Sequence, residues 1–157
     1  MDGYECKNEP VVSMTEFDSM KLLAAIKSRR SIRHFKNQTV EEEKIQRILE
    51  AGRYTPTGSN KQNVTFTILG SRQKEAEKIC TDLFRTGKSL GARFLEYLKT
   101  IKITDDFFFK GAPLVIVVSS KSKINAGLAS AYMEIMAESM GLGVLYSGFL
   151  LSVQNSV

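Results

Sequence analysis

The sequence predicts an α+β domain in which helices surround a small sheet. Apolar residues recur at helical spacing in five segments between positions 18 and 140. Only two runs, Val64–Leu69 and Pro113–Val118, have the β-branched or continuously apolar composition of strands. The chain of 157 residues is 43% hydrophobic and 25% charged, which fits one globular domain.

The first two helices have recognisable boundaries. Asp18 or Ser19 is predicted to cap the first helix, which continues towards residue 28. Residues 39–42, TVEE, have the spacing of a capping box and predict the start of the second helix, which must end before Pro56. The apolar stripe of this second helix consists of Val40, Ile45, Ile48, Leu49 and Gly52.

The second half of the chain alternates helices with extended runs. Ser71 is predicted to cap a third helix, and Leu90–Leu98 form a fourth. The apolar run Pro113–Val118 is predicted to be a central strand buried on both faces. Asn125–Met140 form a long central helix that ends at a glycine pair, after which Val144–Tyr146 are extended. The small residues that would let other helices approach it are Ala126, Ala129, Ser130 and Ala137.

Several functional classes are excluded by missing motifs. Cys6 and Cys80 are isolated thiols, and His34 is the single histidine, so neither a disulfide scaffold nor a metal site is expected. No phosphate-loop, dinucleotide-binding or nucleophile-elbow motif is found. The longest apolar run, Ala112–Val118, is too short to span a bilayer, and the start of the chain lacks a secretory pattern. A cytoplasmic protein without a membrane partner is therefore expected.

The excess of positive charge is concentrated in one place. The formal net charge is +5, and residues 27–36, KSRRSIRHFK, contain five cationic and no acidic side chains. The remainder of the chain has equal numbers of each sign. Such a cluster indicates either a solvated face or an anionic ligand, namely a nucleic acid, a membrane surface or the phosphate of a small molecule.

Two short segments carry groups suited to a small ligand. Residues 29–35, RRSIRHF, combine three guanidinium groups with a hydroxyl, and arginine binds phosphate oxygens through paired N–H groups. Residues 56–62, PTGSNKQ, offer backbone amides and short polar side chains suited to the edge of a flat heteroaromatic ring. Gly58 would let such a ring approach the backbone. No side chain stands out as a nucleophile or acid, so the chemistry of an enzyme would belong to a cofactor.

In order and spacing these features resemble the FMN-dependent nitroreductase family. The resemblance covers Ser19 to Phe149 and rests on five motifs. They are RRSIRHF, the acid-capped second helix, TPTGSNKQ before a strand, the KGAPLVIVV strand, and the small-residue helix leading to GLGVLYSGF. The resemblance implies a small central mixed or antiparallel sheet wrapped by helices, in an intertwined homodimer.

The resemblance also implies which residues bind FMN. Those that match the family's phosphate contacts are Arg29, Arg30, Ser31 and Arg33. Those that match the loop reaching the flavin of the partner subunit are Pro56, Thr57, Gly58 and Asn60. The pair whose backbone would lie near the flavin N5 edge is Ser147 and Gly148. No catalytic side chain and no metal are implied.

The implied activity is FMN-dependent electron transfer from NAD(P)H, or from ferredoxin, to nitroaromatic, quinone or similar acceptors. Residues 1–17 show no helical or strand periodicity and are interpreted as an N-terminal arm or linker remnant, which would fit the relatives that follow a ferredoxin module. Residues 18–157 are interpreted as a nitroreductase-like FMN-binding domain that lacks the family's usual C-terminal segment.

Two alternative functions remain open, and one further feature of the sequence indicates a dimer. The basic cluster would also suit nucleic-acid phosphates, although the neutral remainder argues against that partner. A flavin-binding or flavin-degrading relative without reductase activity is the other alternative. Phe107, Phe108 and Phe109 cannot share one helical stripe, so at least one is predicted to contact a partner subunit or line a pocket.

Overall fold

The computed structural model of the chain describes residues 18–85 and 103–147. Its elements in these ranges are α1 (Ser19–Ser28), α2 (Glu42–Arg53), β1 (Val64–Ile68), α3 (Gln73–Arg85), β2 (Ile116–Ser120) and α4 (Lys123–Ser139). The two strands are antiparallel, with Val64 opposite Ser120 and Ile68 opposite Ile116. The predicted α+β class, with a small antiparallel sheet, is confirmed. Within these ranges, no helix has both the length and the apolar composition that crossing a membrane requires.

Helix α4 is the centre of the described fold, as its small residues predicted. It packs against α1, α2 and both strands, and Ala129 is completely buried. Its Met133 and Ala137 form a core cluster with Ile48 of α2. A Cβ atom on Gly52 would lie 2.7 Å from Cζ of Phe66 and 2.9 Å from Sδ of Met133. Only a glycine therefore allows α2 to pack this closely against the strand and α4.

Two predicted helix boundaries are confirmed by their hydrogen bonds. The side chain of Asp18 accepts from the amides of Met20 and Lys21 at 3.0 and 3.1 Å, and thereby caps α1. Helix α4 ends where Gly141 adopts a φ of +76°. The amide of Leu142 then donates to the carbonyl of Ala137 at 3.0 Å, which completes a Schellman motif.

The capping box predicted for α2 is wrong. The N-cap is Glu41, which makes no side-chain capping bond, and Thr39 lies two residues before it. Two ion pairs stabilise the first turns instead. Lys44 contacts Glu41 at 3.3 Å, and Arg47 contacts Glu43 at 2.6 Å. The negative charges at this end also interact favourably with the helix dipole.

The predicted cap of α3 is also displaced. Ser71 lies inside a 3₁₀ turn, Gly70–Arg72, and α3 begins at Gln73. Gly70 has a φ of +51°, so the chain turns immediately after β1 and the helical path starts before the regular helix.

Strand β2 differs from the predicted buried central strand. It begins at Ile116 rather than Pro113, and its apolar residues are only half-buried. Among the described residues it pairs with β1 and with no other strand. Full burial on both faces would require more covering elements than this part of the chain supplies.

The prediction for the three consecutive phenylalanines is wrong, because all of them are buried within their own chain. Phe107, Phe108 and Phe109 are 6%, 1% and 6% exposed. They form turns rather than one helical stripe, and they surround Phe84 of α3, whose ring lies 5.4 Å from that of Phe107. The carboxylate of Glu77 accepts from the amides of Phe108 and Phe109 at 2.7 and 2.8 Å. Because the Glu77 carboxylate accepts both hydrogen bonds, these buried backbone amides are paired although the successive side chains are all buried.

Three expectations fall on residues outside the described ranges. They are the N-terminal arm at 1–17, the helix Leu90–Leu98, and Gly148 of the pair assigned to the flavin N5 edge.

Candidate functional site

The basic segment lies beside the chain that follows α4. Helix α1 ends at Ser28, and Ser31 forms a parallel bridge with Val144. The amide of Ile32 donates to the carbonyl of Val144 at 3.0 Å. A Cβ atom on Gly143 would lie 2.5 Å from Cγ1 of Ile32, so glycine permits this approach. The fold therefore brings the predicted phosphate contacts at 29–33 alongside the segment that leads to Ser147.

The predicted phosphate contacts have different local roles. Arg29 is half-buried, and its Nη1 donates to Oε1 of Glu134 at 3.0 Å. Arg30 is exposed, and its Nη1 donates to the carbonyls of Lys27 and Arg29 at 2.8 Å each. Arg33 is exposed, and its Nη1 lies 3.5 Å from the carbonyl oxygen of Ser31. A guanidinium has five N–H donors, so each arginine keeps donors beyond these bonds.

A buried carboxylate was missed by reasoning from the sequence. The side chain of Glu134 in α4 is only 9% exposed, and its carboxylate forms an ion pair with Arg29. Burial and the charge of Glu134 raise the pKa of Tyr146 to about 12, and a hydrogen bond with Ser130 and the charge of Arg29 oppose that shift. We call Arg29, Ser130, Glu134 and Tyr146 the inner cluster. The available signal was an acidic residue four positions after Ser130, on the small-residue face of a central helix.

The inner cluster joins two parts of the predicted site. Arg29 belongs to the predicted phosphate contacts, and Tyr146 directly precedes Ser147, which is half-buried. Both residues lie within electrostatic reach of the Glu134 carboxylate. A single buried charge thus lies between the segment assigned to the phosphate and the segment assigned to the ring.

The predicted ring-binding loop has an unusual backbone. Ser59, Asn60 and Gln62 have positive φ angles of 56°, 50° and 46°. Such angles are uncommon outside glycine, and Asn tolerates them better than Ser or Gln. The hydroxyl of Thr57 accepts from the amide of Gln62 at 2.9 Å, which closes the loop on itself. The surrounding contacts therefore hold a conformation that these residues would seldom adopt alone.

The loop is anchored at the first turn of α4. Oδ1 of the buried Asn125 accepts from the amide of Gly58 at 3.4 Å, and its Nδ2 donates to Oδ1 of Asn63 at 2.8 Å. Pro56, Gly58 and Asn60 are exposed, and Thr57 is half-buried. A Cβ atom on Gly58 would meet nothing within 4 Å, so its own chain does not require a glycine there.

The loop and the basic segment are held at different levels of α4. The loop contacts Asn125, whereas Arg29 contacts Glu134, nine residues further along. Nine residues of α-helix correspond to about 13 Å along the helix axis. The predicted site residues therefore form two separate groups along one helix.

In the ranges 18–85 and 103–147, no group of three histidine, cysteine, aspartate or glutamate residues is arranged to hold a metal ion. His34 is exposed, and Cys80 is a free, half-buried thiol that packs against the Phe84 cluster.

Comparison with known proteins gives a consistent assignment. The model of the nitroreductase family matches residues 26–156. A protein from Methanothermobacter thermautotrophicus, provisionally named NADH dehydrogenase/NAD(P)H nitroreductase, is 30% identical over 138 residues, or 82% of this chain. The chain spans 61% of the length of that relative.

Solved structures share the fold. A Bacteroides fragilis nitroreductase with bound FMN has a TM-score of 0.68 at 23% identity, covering 83% of this chain and 71% of that one. An FMN-dependent nitroreductase from Clostridium difficile has a TM-score of 0.61 at 26% identity, covering 78% of this chain and 58% of that one. Since the family model covers most of the sequence and the fold agrees, the chain belongs to the nitroreductase family.

Proposed function

We propose that this chain forms the FMN-binding part of an oxidoreductase. It would transfer electrons from NAD(P)H, or from ferredoxin, to nitroaromatic, quinone or similar acceptors. The observation that carries the proposal is the position of residues 29–33, which the Ile32–Val144 hydrogen bond holds beside the segment leading to Ser147. The free thiol of Cys80 is compatible with a reducing compartment, and we place the activity in the cytoplasm.

The donor groups of the basic segment fit the phosphate of FMN. Arg30, Ser31 and Arg33 are exposed at the end of α1, and Arg29 adds a third guanidinium from the interior side. Guanidinium and hydroxyl groups form short, charge-assisted hydrogen bonds with phosphate oxygens. The residues present therefore suit a phosphate monoester, and the FMN-dependent Clostridium difficile relative supports the same cofactor.

The chain's own residues would bind and orient, while bound FMN would supply the redox chemistry by accepting a hydride and passing electrons on. The arginines would fix the phosphate end. The backbone near Ser147 and Gly148 would lie along the ring edge, and the loop 56–62 would present amide and side-chain donors to a ring. The exposed position of Gly58, with open space around its Cα, leaves room for a ring to approach.

We propose further that the active form is a homodimer in which the loop 56–62 serves the site of the partner subunit. The resemblance places this loop at the flavin of the partner subunit, and its anchor on α4 is separate from that of the basic segment. Helix α4 also exposes an apolar stripe: Ile124, Leu128 and Tyr132 are 74%, 39% and 47% exposed. Residues spaced by four lie on one helix face, and a second copy would cover this face.

The test begins with the chromophore. The purified chain is expected to be yellow and to release FMN, identified by mass, on denaturation. Anaerobic additions of NADH, NADPH and reduced ferredoxin would then show which donor bleaches the flavin. Recovery of FAD, or a colourless protein that binds no flavin, would refute the proposal. Flavin that no donor reduces would favour a relative without reductase activity.

A further inference from the structure

The contact between Arg29 and Glu134 is more than an ordinary surface ion pair. Nη1 of Arg29 lies 3.0 Å from Oε1 of Glu134, whose side chain is 9% exposed against 41% for Arg29. The carboxylate therefore lies inside the fold, while part of the guanidinium faces solvent. One end of the arginine is held and the other remains available.

From this geometry we propose that Glu134 is a positioning residue, which holds Arg29 in the orientation that receives the phosphate of FMN. This inference rests on the proposed function. Arginine has many rotamers, and fixing one of them on binding lowers affinity. A buried partner that fixes the rotamer beforehand removes that cost. Only Nη1 is used by Glu134, so the other donors of the guanidinium can bind phosphate oxygens.

An alternative role for Glu134 is to compete with phosphate for Arg29, and removal of its charge would then tighten FMN binding. If the carboxylate merely occupied Arg29 until phosphate arrived, Arg29 would have to leave it. That exchange would strand a buried carboxylate without its cationic partner, which is strongly unfavourable. Glu134 also places a negative charge beside a crowded basic segment and so reduces repulsion among Arg29, Arg30 and Arg33. The pair is therefore expected to persist when phosphate binds.

Tyr146 links Glu134 to the segment that is assigned to the flavin ring. Its hydroxyl is influenced by both Glu134 and Arg29, and it directly precedes the pair assigned to the flavin ring. Glu134 therefore lies close both to Arg29 and to the segment that precedes Ser147.

The decisive variant is Glu134→Gln, which keeps the size of the side chain and removes its charge. FMN and riboflavin dissociation constants are measured on the flavin-free chain by quenching of flavin fluorescence. We expect the FMN dissociation constant to rise about tenfold, the typical effect of weakening a charge-assisted contact, with riboflavin changed less than about twofold. Glu75→Gln is the control, because Glu75 is an exposed carboxylate of α3 that pairs with Arg72 rather than with the basic segment, and both constants should stay unchanged.

A double-mutant cycle with Arg29→Gln separates positioning from a structural role. If Glu134 acts through Arg29, then Glu134→Gln has no further effect on FMN in the Arg29→Gln background. Should Glu134→Gln fold poorly, Glu134→Asp takes its place, and its shorter reach predicts the same FMN-selective loss.

The outcomes are distinct. Unchanged or tighter FMN binding by the Glu134 variant, or equal losses for FMN and riboflavin, would overturn the inference while the proposed function stands, provided that Arg29→Gln weakens FMN selectively. If Arg29→Gln leaves the ratio of FMN to riboflavin affinity unchanged, the phosphate assignment itself fails and the inference fails with it.

Discussion

At the scale of single residues, neighbouring side chains of the same type have different surroundings. Arg29 faces a buried carboxylate, Arg30 binds carbonyls at the end of its own helix, and Arg33 is exposed with one long contact. The three arginines are therefore not interchangeable. A substitution at Arg33 changes the least internal structure, which makes it the cleanest probe of phosphate binding.

Arg33→Ala is expected to weaken FMN binding by about 1.5–3 kcal/mol, the range of a hydrogen bond between charged groups. Riboflavin has no phosphate and should bind the variant and the parent equally. Isothermal titration of each flavin measures the difference. Arg72→Ala, which removes an exposed arginine from the turn before α3, is the control. Equal losses for the two flavins would mean that Arg33 supports the fold.

Glu77 illustrates a buried carboxylate with a purely structural role. Burial raises its pKa above the ordinary value of 4.5, more than the hydrogen bonds from Phe108 and Phe109 lower it. Because the folded state holds the proton more tightly than the unfolded state, the contribution of Glu77 is greatest below pH 4.5. It is lost as the pH rises through the raised folded pKa.

We therefore expect the difference in unfolding free energy between the parent and Glu77→Gln to decrease over that pH window. Below pH 4.5 the variant should be less stable by about 1–3 kcal/mol, because an amide NH2 group cannot accept a backbone N–H as a carboxyl oxygen does, and the difference should be smaller at pH 7. Urea unfolding at several pH values measures both effects. Glu75→Gln alters an exposed carboxylate of the same helix and should have little effect. A pH-independent difference would contradict the assignment.

At the scale of elements, a glycine decides how two segments meet. The segment after α4 lies against residues 31 and 32 only because Gly143 has no side chain. This contact orients the basic segment. It brings residues 29–33 beside the segment before Ser147, although the two are far apart in the sequence. Gly143 is therefore expected to influence FMN binding without contacting FMN.

Gly143→Ala should therefore displace Ile32 and weaken its bond to Val144, with a loss of about 1–3 kcal/mol in stability from overpacking. FMN affinity should fall as well. Thermal unfolding and flavin titration measure these effects. Gly127→Ala is the control for stability, because a Cβ atom on Gly127 of α4 meets nothing within 4 Å and alanine favours a helix. A Gly143→Ala variant with parental stability and affinity would show that the contact is adaptable.

Several features with local determinants were predicted correctly, although the caps at Thr39 and Ser71 were wrong, whereas features that depend on distant partners were missed. The cap at Asp18, the stripe of α2 and the glycine end of α4 follow from neighbouring residues, and they were predicted. The burial of Phe107–Phe109 depends on Glu77, which is more than 30 residues away. Glu134 was missed for the same reason, since its partner Arg29 lies 105 positions earlier. The assignment of residues to FMN remains a prediction.

At the scale of the whole molecule, the exposed apolar stripe on α4 is the observation that best supports the proposed dimer. Among the described residues, Ile124, Leu128 and Tyr132 are left uncovered, and we propose that a second copy covers them. Obligate interfaces bury about 2,000 Å² or more, and a ligand that binds only the assembled form stabilises it by mass action. Flavin binding and dimer formation should therefore depend on each other.

Leu128→Asp is expected to convert the dimer to a monomer at low micromolar concentration and to lower FMN content together with it. Sedimentation velocity with and without added FMN measures the assembly state. Ile79→Asp is the matched control, because Ile79 is an exposed isoleucine of α3, outside the stripe. A well-folded parental monomer loaded with FMN would refute the dimer and the shared site.

The spacing of the two anchors along α4 has a consequence for how a dimer would fill with cofactor. Helix α4 has 17 residues, about 25 Å of rigid rod, with the loop held at one end and Arg29 held further along. If the loop serves the partner's site, each rod is shared by two flavins. Any tilt or shift of α4 that improves flavin binding at one site must also move the loop or Arg29 at the other site. The two sites would then be energetically coupled, with equal and reciprocal effects on each other's occupancy. Flavin titrations would depart from the isotherm of two independent sites.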